Sequence, residues 1–302
     1  GDSGLFDPEF ENLLPDIRNY CESTGFPAWH APSRSGFFRY LVVRKSFSAD
    51  ECLVNLVTHD DDRFDIHVFS DFLREKLGKR LAGLLHTINT DTGERSVPLA
   101  GSSRLIYGKD HVVETMAGLS FRISMTSFFQ TNPRCAELLY RKTIDYVKEP
   151  GFKSDGVVLD LFCGTGTIAQ LLAGGGVPEV AGVDIVESAI DDARANVALN
   201  NLDRVKFVAA DVGNFLRDHP EYRGNISCVV LDPPRGGIAP KTLQKTIMLE
   251  APRIVYVSCN PATQARDALA LREAGYQLRK LSLVDQFPHT AHIEAIGWWE
   301  LA

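Results

Sequence analysis

The sequence predicts an α/β chain: a doubly wound, mostly parallel sheet of seven strands, preceded by a smaller α+β domain. Three observations carry this. Five short runs rich in Val and Ile, at 157–162, 180–183, 205–209, 228–231 and 254–257, alternate with helical stretches, as strands buried on both faces do. Gly164-Thr165-Gly166 joins the first run to a helix expected over 168–173. The runs at 277–284 and 294–299 are too close in sequence for a crossover, so they pair antiparallel and give the sheet one reversed strand.

The preceding domain, expected over residues 1–124, opens with strands at 37–45 and 52–57. Phe69, Phe72, Leu73 and Leu77 have the spacing of one helical face. A strand at 83–89, a turn at 89–93 and a hairpin over 112–124 turning at Ala117-Gly118 complete it. The second domain, 125–302, begins with a helix opened by Asn132-Pro133, with Cys135, Leu138, Leu139, Tyr146 and Val147 on one side.

A length of 302 residues with 44% hydrophobic content supports full cores and excludes a disordered chain. The net charge of -7 argues against a general polyanion binder but leaves room for a local basic face. Arg34, Arg39, Arg44 and Lys45 around Phe37, Phe38 and Tyr40 suit either such a face, with a base stacked out of a loop, or an ordinary solvated strand edge. The sequence has no apolar stretch of membrane-spanning length and no signal-peptide pattern, so an intracellular, cytoplasmic or organellar protein is expected. Gly1-Asp2-Ser3-Gly4 reads as an expression scar or a cut domain edge, which leaves room for a targeting segment or a further domain. The six cysteines, with no C-x-x-C pair, suggest reduced thiols in place of a disulfide framework or zinc site.

The loop from Asp160 to Thr167 lets a ligand approach the backbone closely, and Asp184 ends the second strand where an acid can accept both ribose hydroxyl protons of a nucleoside. A dinucleotide site would use the same two features. Asp211 ends the third strand, as a contact to an adenine edge or as a helix cap. Asp232-Pro233-Pro234-Arg235 follows the fourth strand with a stiff turn that a dehydrogenase does not need. Cys259, in Ser258-Cys-Asn-Pro261, ends the fifth strand beside an expected helix N-terminus, a position that favours the thiolate.

In order along the chain, Ser127-Phe-Phe-Gln-Thr-Asn-Pro133, Asp160 to Gly166, Asp232 to Arg235, Ser258 to Pro261 and Asp285-Gln-Phe-Pro-His-Thr-Ala-His-Ile-Glu294 resemble the RNA (uracil-5-)-methyltransferases. The resemblance implies a class I methyltransferase sheet, S-adenosylmethionine as methyl donor, and an RNA substrate, tRNA or rRNA, with a single-stranded loop uridine. It implies that Cys259 attacks C6 of uracil and Glu294 removes the C5 proton. Gln130, Phe162, Gly164, Thr167, Asp184, Asp211 and Asp232 would then bind the methyl donor.

The chemistry explains the residue types. C5 of uracil is a poor nucleophile until a thiolate adds at C6, and a base must afterwards remove the C5 proton. Partial burial among Ile293, Ile296 and Trp298 is expected to raise the pKa of Glu294. His289 and His292 read as polar lining, with no metal expected. Arg235 reads as a phosphate or catalytic-loop contact, or as a structural ion-pair partner. The N-terminal oligonucleotide-binding barrel and four-cysteine cluster of some family members do not occur in the sequence. A monomer is expected, and a dehydrogenase and a non-catalytic RNA-binding module stand as alternatives.

Overall fold

The computed structural model describes residues 6–91, 93 and 103–302. The expectations about residues 1–4 lie outside these residues, as does Thr92 in the expected turn at 89–93. The chain forms two compact units: the described residues of Gly1–Glu114 with Arg122–Thr126, and Thr115–Phe121 with Ser127–Ala302.

In the first unit, α1 (Pro8–Ser23) is followed by β1 (Phe38–Ser46), β2 (Glu51–Thr58), α2 (Ile66–Leu77), β3 (Leu81–Ile88) and β4 (Ser103–Gly108). The strands form a sheet in the order β1-β2-β3-β4. β2 and β3 are parallel because α2 carries the chain across between them; the outer pairs are antiparallel. The apolar stripe of α2 and Phe10, Leu13 and Ile17 of α1 enter one core with Val54, Leu56 and Leu84. Neither α1 nor β4 was expected from the sequence. Asp7 caps α1 by accepting from the Phe10 amide at 2.7 Å, and Pro15, which reads as a helix breaker, is carried inside it.

The hairpin of β5 (His111–Met116) and β6 (Leu119–Ser124) turns where expected, with Ala117 and Gly118 both at positive φ, 49° and 85°.

The basic cluster expected on β1 is used internally. Arg39 is buried, lies 4.0 Å over the Trp29 ring, and donates to the carbonyls of Asn89 and Gly93 at 2.9 and 2.5 Å. Arg44 donates to Met125 O, and Lys45 is paired with Asp7 and Asp50. Phe37 is buried in the core. Of the cluster only Arg34 is exposed, so the solvated basic face is corrected to a set of internal ties.

The second unit contains α3 (Pro133–Lys148), β7 (Val157–Leu161), α4 (Thr167–Gly174), β8 (Val180–Asp184), α5 (Glu187–Leu199), β9 (Val205–Ala209), α6 (Val212–Asp218), β10 (Ile226–Leu231), α7 (Pro240–Ile247), β11 (Arg253–Ser258), α8 (Pro261–Glu273), β12 (Tyr276–Val284) and β13 (Glu294–Leu301). The seven-stranded sheet has the order β12-β13-β11-β10-β7-β8-β9, with only β13 running against its neighbours. Two apolar clusters cover its faces, one built on Val158, Val230 and Val255, the other on Leu159, Val229 and Ile254. On α3 the buried side is Ala136, Leu139, Tyr140, Thr143, Tyr146 and Val147; Leu138, expected there, is exposed.

Two features position the site. From β7 the chain winds outward through β8 and β9, then returns to lay β10 on the other flank of β7, so a crevice opens at the carboxyl ends of β7 and β10. β13 lies inside the sheet, and because it is reversed its first residue, Glu294, arrives at that same edge.

Candidate active site

β7 stops at Leu161 because Phe162 takes a positive φ of 66°, a costly conformation for an aromatic residue and one that clusters at ligand sites. The amides of Phe162 and Cys163 both turn back to Val183 O, at 2.9 and 3.1 Å, and fold the glycine loop over the end of β8. Gly166, at φ 72°, caps α4; a Cβ there would meet the Phe207 ring at 2.2 Å, so no other residue fits. At Gly164 a Cβ would meet nothing within 4 Å, so the backbone faces open space. Thr167 is the first residue of α4 and is buried.

Asp184 accepts from the Gly164 amide through Oδ2 and from the Val186 amide through Oδ1, each at 2.9 Å. The acid therefore fixes the glycine loop, and each carboxylate oxygen retains a second lone pair for a ligand hydroxyl. Asp211 caps α6 by accepting from the Asn214 amide at 2.9 Å, the alternative the sequence held against a ligand role.

Beneath the loop, Asp160 accepts from Ala169 N at 3.0 Å through Oδ2, while its buried Oδ1 has no partner among the described residues. Burial pushes its carboxyl up to about 7. Asp232, at the end of β10, is raised well above the usual carboxylate range by burial and by the charges of Glu294 and Asp160. Gln130 hydrogen-bonds the buried Tyr140 hydroxyl, which senses Asp232, Glu294 and Asp160 as well. Two residues on, Asn132 donates to Gln286 O at 3.4 Å and receives Gln286 Nε2 on its own carbonyl at 3.1 Å. These bonds tie the start of α3 to the segment after β12, far apart in sequence.

The last paired residues of β11 and β13 are Ser258 and Ala295. Cys259 follows Ser258 and Glu294 precedes Ala295, so both come to the same end of the β11–β13 ladder, and the Glu294 charge acts on the Cys259 thiol. Glu294 is only 3% exposed, so it is not the surface carboxylate of an edge strand. Its burial raises its pKa, as expected, against the Arg235 guanidinium, which lowers it. Cys259 departs from expectation. Asn260 does cap α8, accepting from Ala262 N at 3.2 Å, yet burial, then Glu294 and Asp232, push the thiol above its ordinary range, with Arg235 opposing. The helix end is outweighed first by burial of the thiol and then by two carboxylates that come from other strands.

Arg235 is held by its carbonyl, which accepts from Asn260 Nδ2 at 3.1 Å and Thr263 Oγ1 at 3.3 Å. Its guanidinium donates to the His292 ring at 2.6 Å. Among the described residues no group of three or more His, Cys, Asp or Glu side chains is placed to hold a metal ion. No helix among them is long and apolar enough to cross a membrane.

The family profile described as tRNA (Uracil-5-)-methyltransferase matches residues 93–300. The chain belongs to this family. An uncharacterized RNA methyltransferase of Clostridium tetani is 38% identical over 97% of this chain and 62% of its own length. One of Caldanaerobacter subterraneus is 36% identical over 98% of the chain and 64% of its own. The tRNA (uracil-54, C5)-methyltransferase of Pyrococcus abyssi, solved in complex with S-adenosyl-L-homocysteine, superposes with a TM-score of 0.78 at 29% identity, over 95% of this chain and 66% of that one. The chain thus spans somewhat under two thirds of the length of these relatives. The fold is that of the class I methyltransferases, and membership of the uracil-5 family sets aside the dehydrogenase alternative.

Sequence reasoning missed Asp160 as an isolated acid, Tyr140 and Gln286. Asp160 carried a signal in the sequence, a charged residue inside a run of Val and Leu, and Gln286 lies within the motif from Asp285 to Glu294; Tyr140 carried none.

Proposed function

We propose that the chain transfers a methyl group from S-adenosylmethionine to C5 of a uridine in tRNA or rRNA, through a covalent bond between the Cys259 sulfur and C6 of the ring. The observation that carries this reading is that Cys259 and Glu294 reach the same end of the β11–β13 ladder, on the carboxyl edge of the sheet, with the charges of Glu294 and Asp232 both acting on the thiol.

The residues fit the methyl donor. Its amino acid and sulfonium parts are cationic, and Asp160, with an unpartnered buried oxygen, and Asp232 are acids whose ionised forms lack compensation without a cation. Asp184 offers its carboxylate to the ribose, Gly164 leaves room for close approach, and Phe162, Thr167 and Gln130 complete the lining. Asp211 belongs to this set only through the oxygen lone pairs its capping bond leaves free. Bound there, S-adenosylmethionine supplies an electrophilic methyl group.

Cys259 gives its proton to solvent and adds to C6, forming the carbon–sulfur bond and moving the ring electrons toward C5 and O4. Arg235 favours this step, since its charge draws the thiol pKa down. After C5 has taken the methyl group, Glu294 accepts the C5 proton. The electrons of that C–H bond restore the C5–C6 double bond, and the sulfur leaves as thiolate. Burial raises the basicity of the Glu294 carboxylate, which suits it to this task.

The test is incubation with RNA and S-adenosylmethionine labelled in the methyl group, followed by digestion to nucleosides. Labelled 5-methyluridine is the expected product. Cofactor and RNA binding without it would replace the proposal by a non-catalytic binding module.

A further inference from the structure

Glu294 and Cys259 both lie past the last pair of the β11–β13 ladder, Ser258 with Ala295. Glu294 is held on its other side by its pair with Val284 of β12, so what this end of the ladder leaves untied is β13 against β11, the base against the nucleophile. Gln264, in the first turn of α8, supplies a tie. It is 6% exposed, and its Nε2 donates to Tyr256 O on β11 at 2.8 Å and to Ala295 O on β13 at 3.4 Å. Ala295 adjoins Glu294, and Tyr256 lies in the strand that leads to Cys259. The helix turn that carries Gln264 is itself anchored, since Asn260 caps it and Asn260 and Thr263 both hold the Arg235 carbonyl.

We infer that Gln264 is a positioning residue that sets Glu294 against Cys259 and thereby governs removal of the C5 proton. It touches neither reacting group. The bridge acts asymmetrically: it reaches the residue next to Glu294, but on the Cys259 side it reaches a carbonyl three residues back. Loosening it displaces the base more than the nucleophile. The inference rests on the proposed function.

Two RNA substrates separate the steps. With 5-fluorouridine in place of uridine the ring has no C5 proton, so formation of the methylated adduct reports on Cys259 and methyl transfer alone. With uridine, turnover requires Glu294 as well. Gln264→Leu keeps the volume and removes the bridging donor; Gln264→Met is the second variant should Leu fold poorly.

The expected result is adduct formation within about threefold of the parent protein and uridine turnover reduced by tenfold or more, roughly the cost of a displaced catalytic group. Unchanged affinity for S-adenosylhomocysteine is expected to accompany it. Equal losses in both assays, or no loss in either, would overturn the inference and leave a structural amide. Absence of any adduct with the parent protein would instead overturn the proposed function on which the inference depends.

Discussion

Cys259 and Glu294 meet at one end of the β11–β13 ladder, each next to a member of the Ser258–Ala295 pair, although 35 residues separate them in the chain. A single reversal in strand direction accomplishes this. Were β13 parallel to β11, its first residue would lie at the opposite edge of the sheet, and the thiol would have no carboxylate beside it.

Glu294→Gln should therefore stop the reaction late. Turnover on uridine RNA is expected to fall by about 10²–10⁴-fold, the usual contribution of a positioned base. A methylated protein–RNA adduct should accumulate with unmodified uridine, visible as a band resistant to denaturation. Loss of turnover without that band would place Glu294 before thiol addition.

Arg235 lowers the pKa of both Cys259 and Glu294. Both groups react in their deprotonated forms, so turnover should rise with pH through their raised ranges. In Arg235→Gln both groups lose the stabilising cation, and the rising limb should move to higher pH. A rate–pH profile checks this; an unmoved limb would show that the guanidinium does not act on either group.

Asp160 ties stability to pH. Its carboxyl is raised from 3.8 to about 7, so between these values the folded state holds a proton that the unfolded chain has released. Stability contributed by this group is complete below the lower value and is lost as pH rises through the upper one. The melting temperature of the ligand-free protein should fall from pH 5 to pH 8, and Asp160→Asn should reduce that fall. Asp232, raised in the same direction, keeps the variant from losing the dependence entirely. Calorimetry at the two pH values tests it.

Arg253 is a structural counterpart. It is buried against Trp298, donates to the carbonyls of Tyr146, Val147, Glu149 and Pro150 at the end of α3, and pairs with Glu300 at 2.9 Å. Arg253→Met should destabilise the protein by about 3 kcal/mol, because it strands those carbonyls and the carboxylate together. Denaturant unfolding measures this; a loss below about 1 kcal/mol would mean that water replaces the guanidinium.

Much of this site is legible in the sequence because it sits at strand ends. The Val- and Ile-rich runs mark β7 to β11, and Asp184, Asp232 and Cys259 follow at their carboxyl ends, where a doubly wound sheet binds its ligands. What escaped depends on partners distant in sequence. Arg39, Arg44 and Lys45 read as a basic face because Asn89, Met125 and Asp7, which take them up, are 38 to 81 residues away. Cys259 read as thiolate-prone because its neighbours include a helix N-terminus; burial within the fold reverses that, helped by Glu294 and Asp232, which arrive from other strands. Asp211 fitted both a ligand contact and a helix cap, and the Asn214 bond shows that it makes the cap.

The central claim is that the Cys259 sulfur bonds to C6 of a uracil in RNA. The most direct measurement is to incubate the protein with S-adenosylmethionine and 5-fluorouridine-containing tRNA or rRNA fragments, digest the trapped complex, and locate the modified peptide by mass spectrometry. The account predicts a methylated fluorouridine on the peptide containing Cys259, and no complex from Cys259→Ala. A nucleotide attached elsewhere, or 5-methyluridine formed by Cys259→Ala, would contradict it.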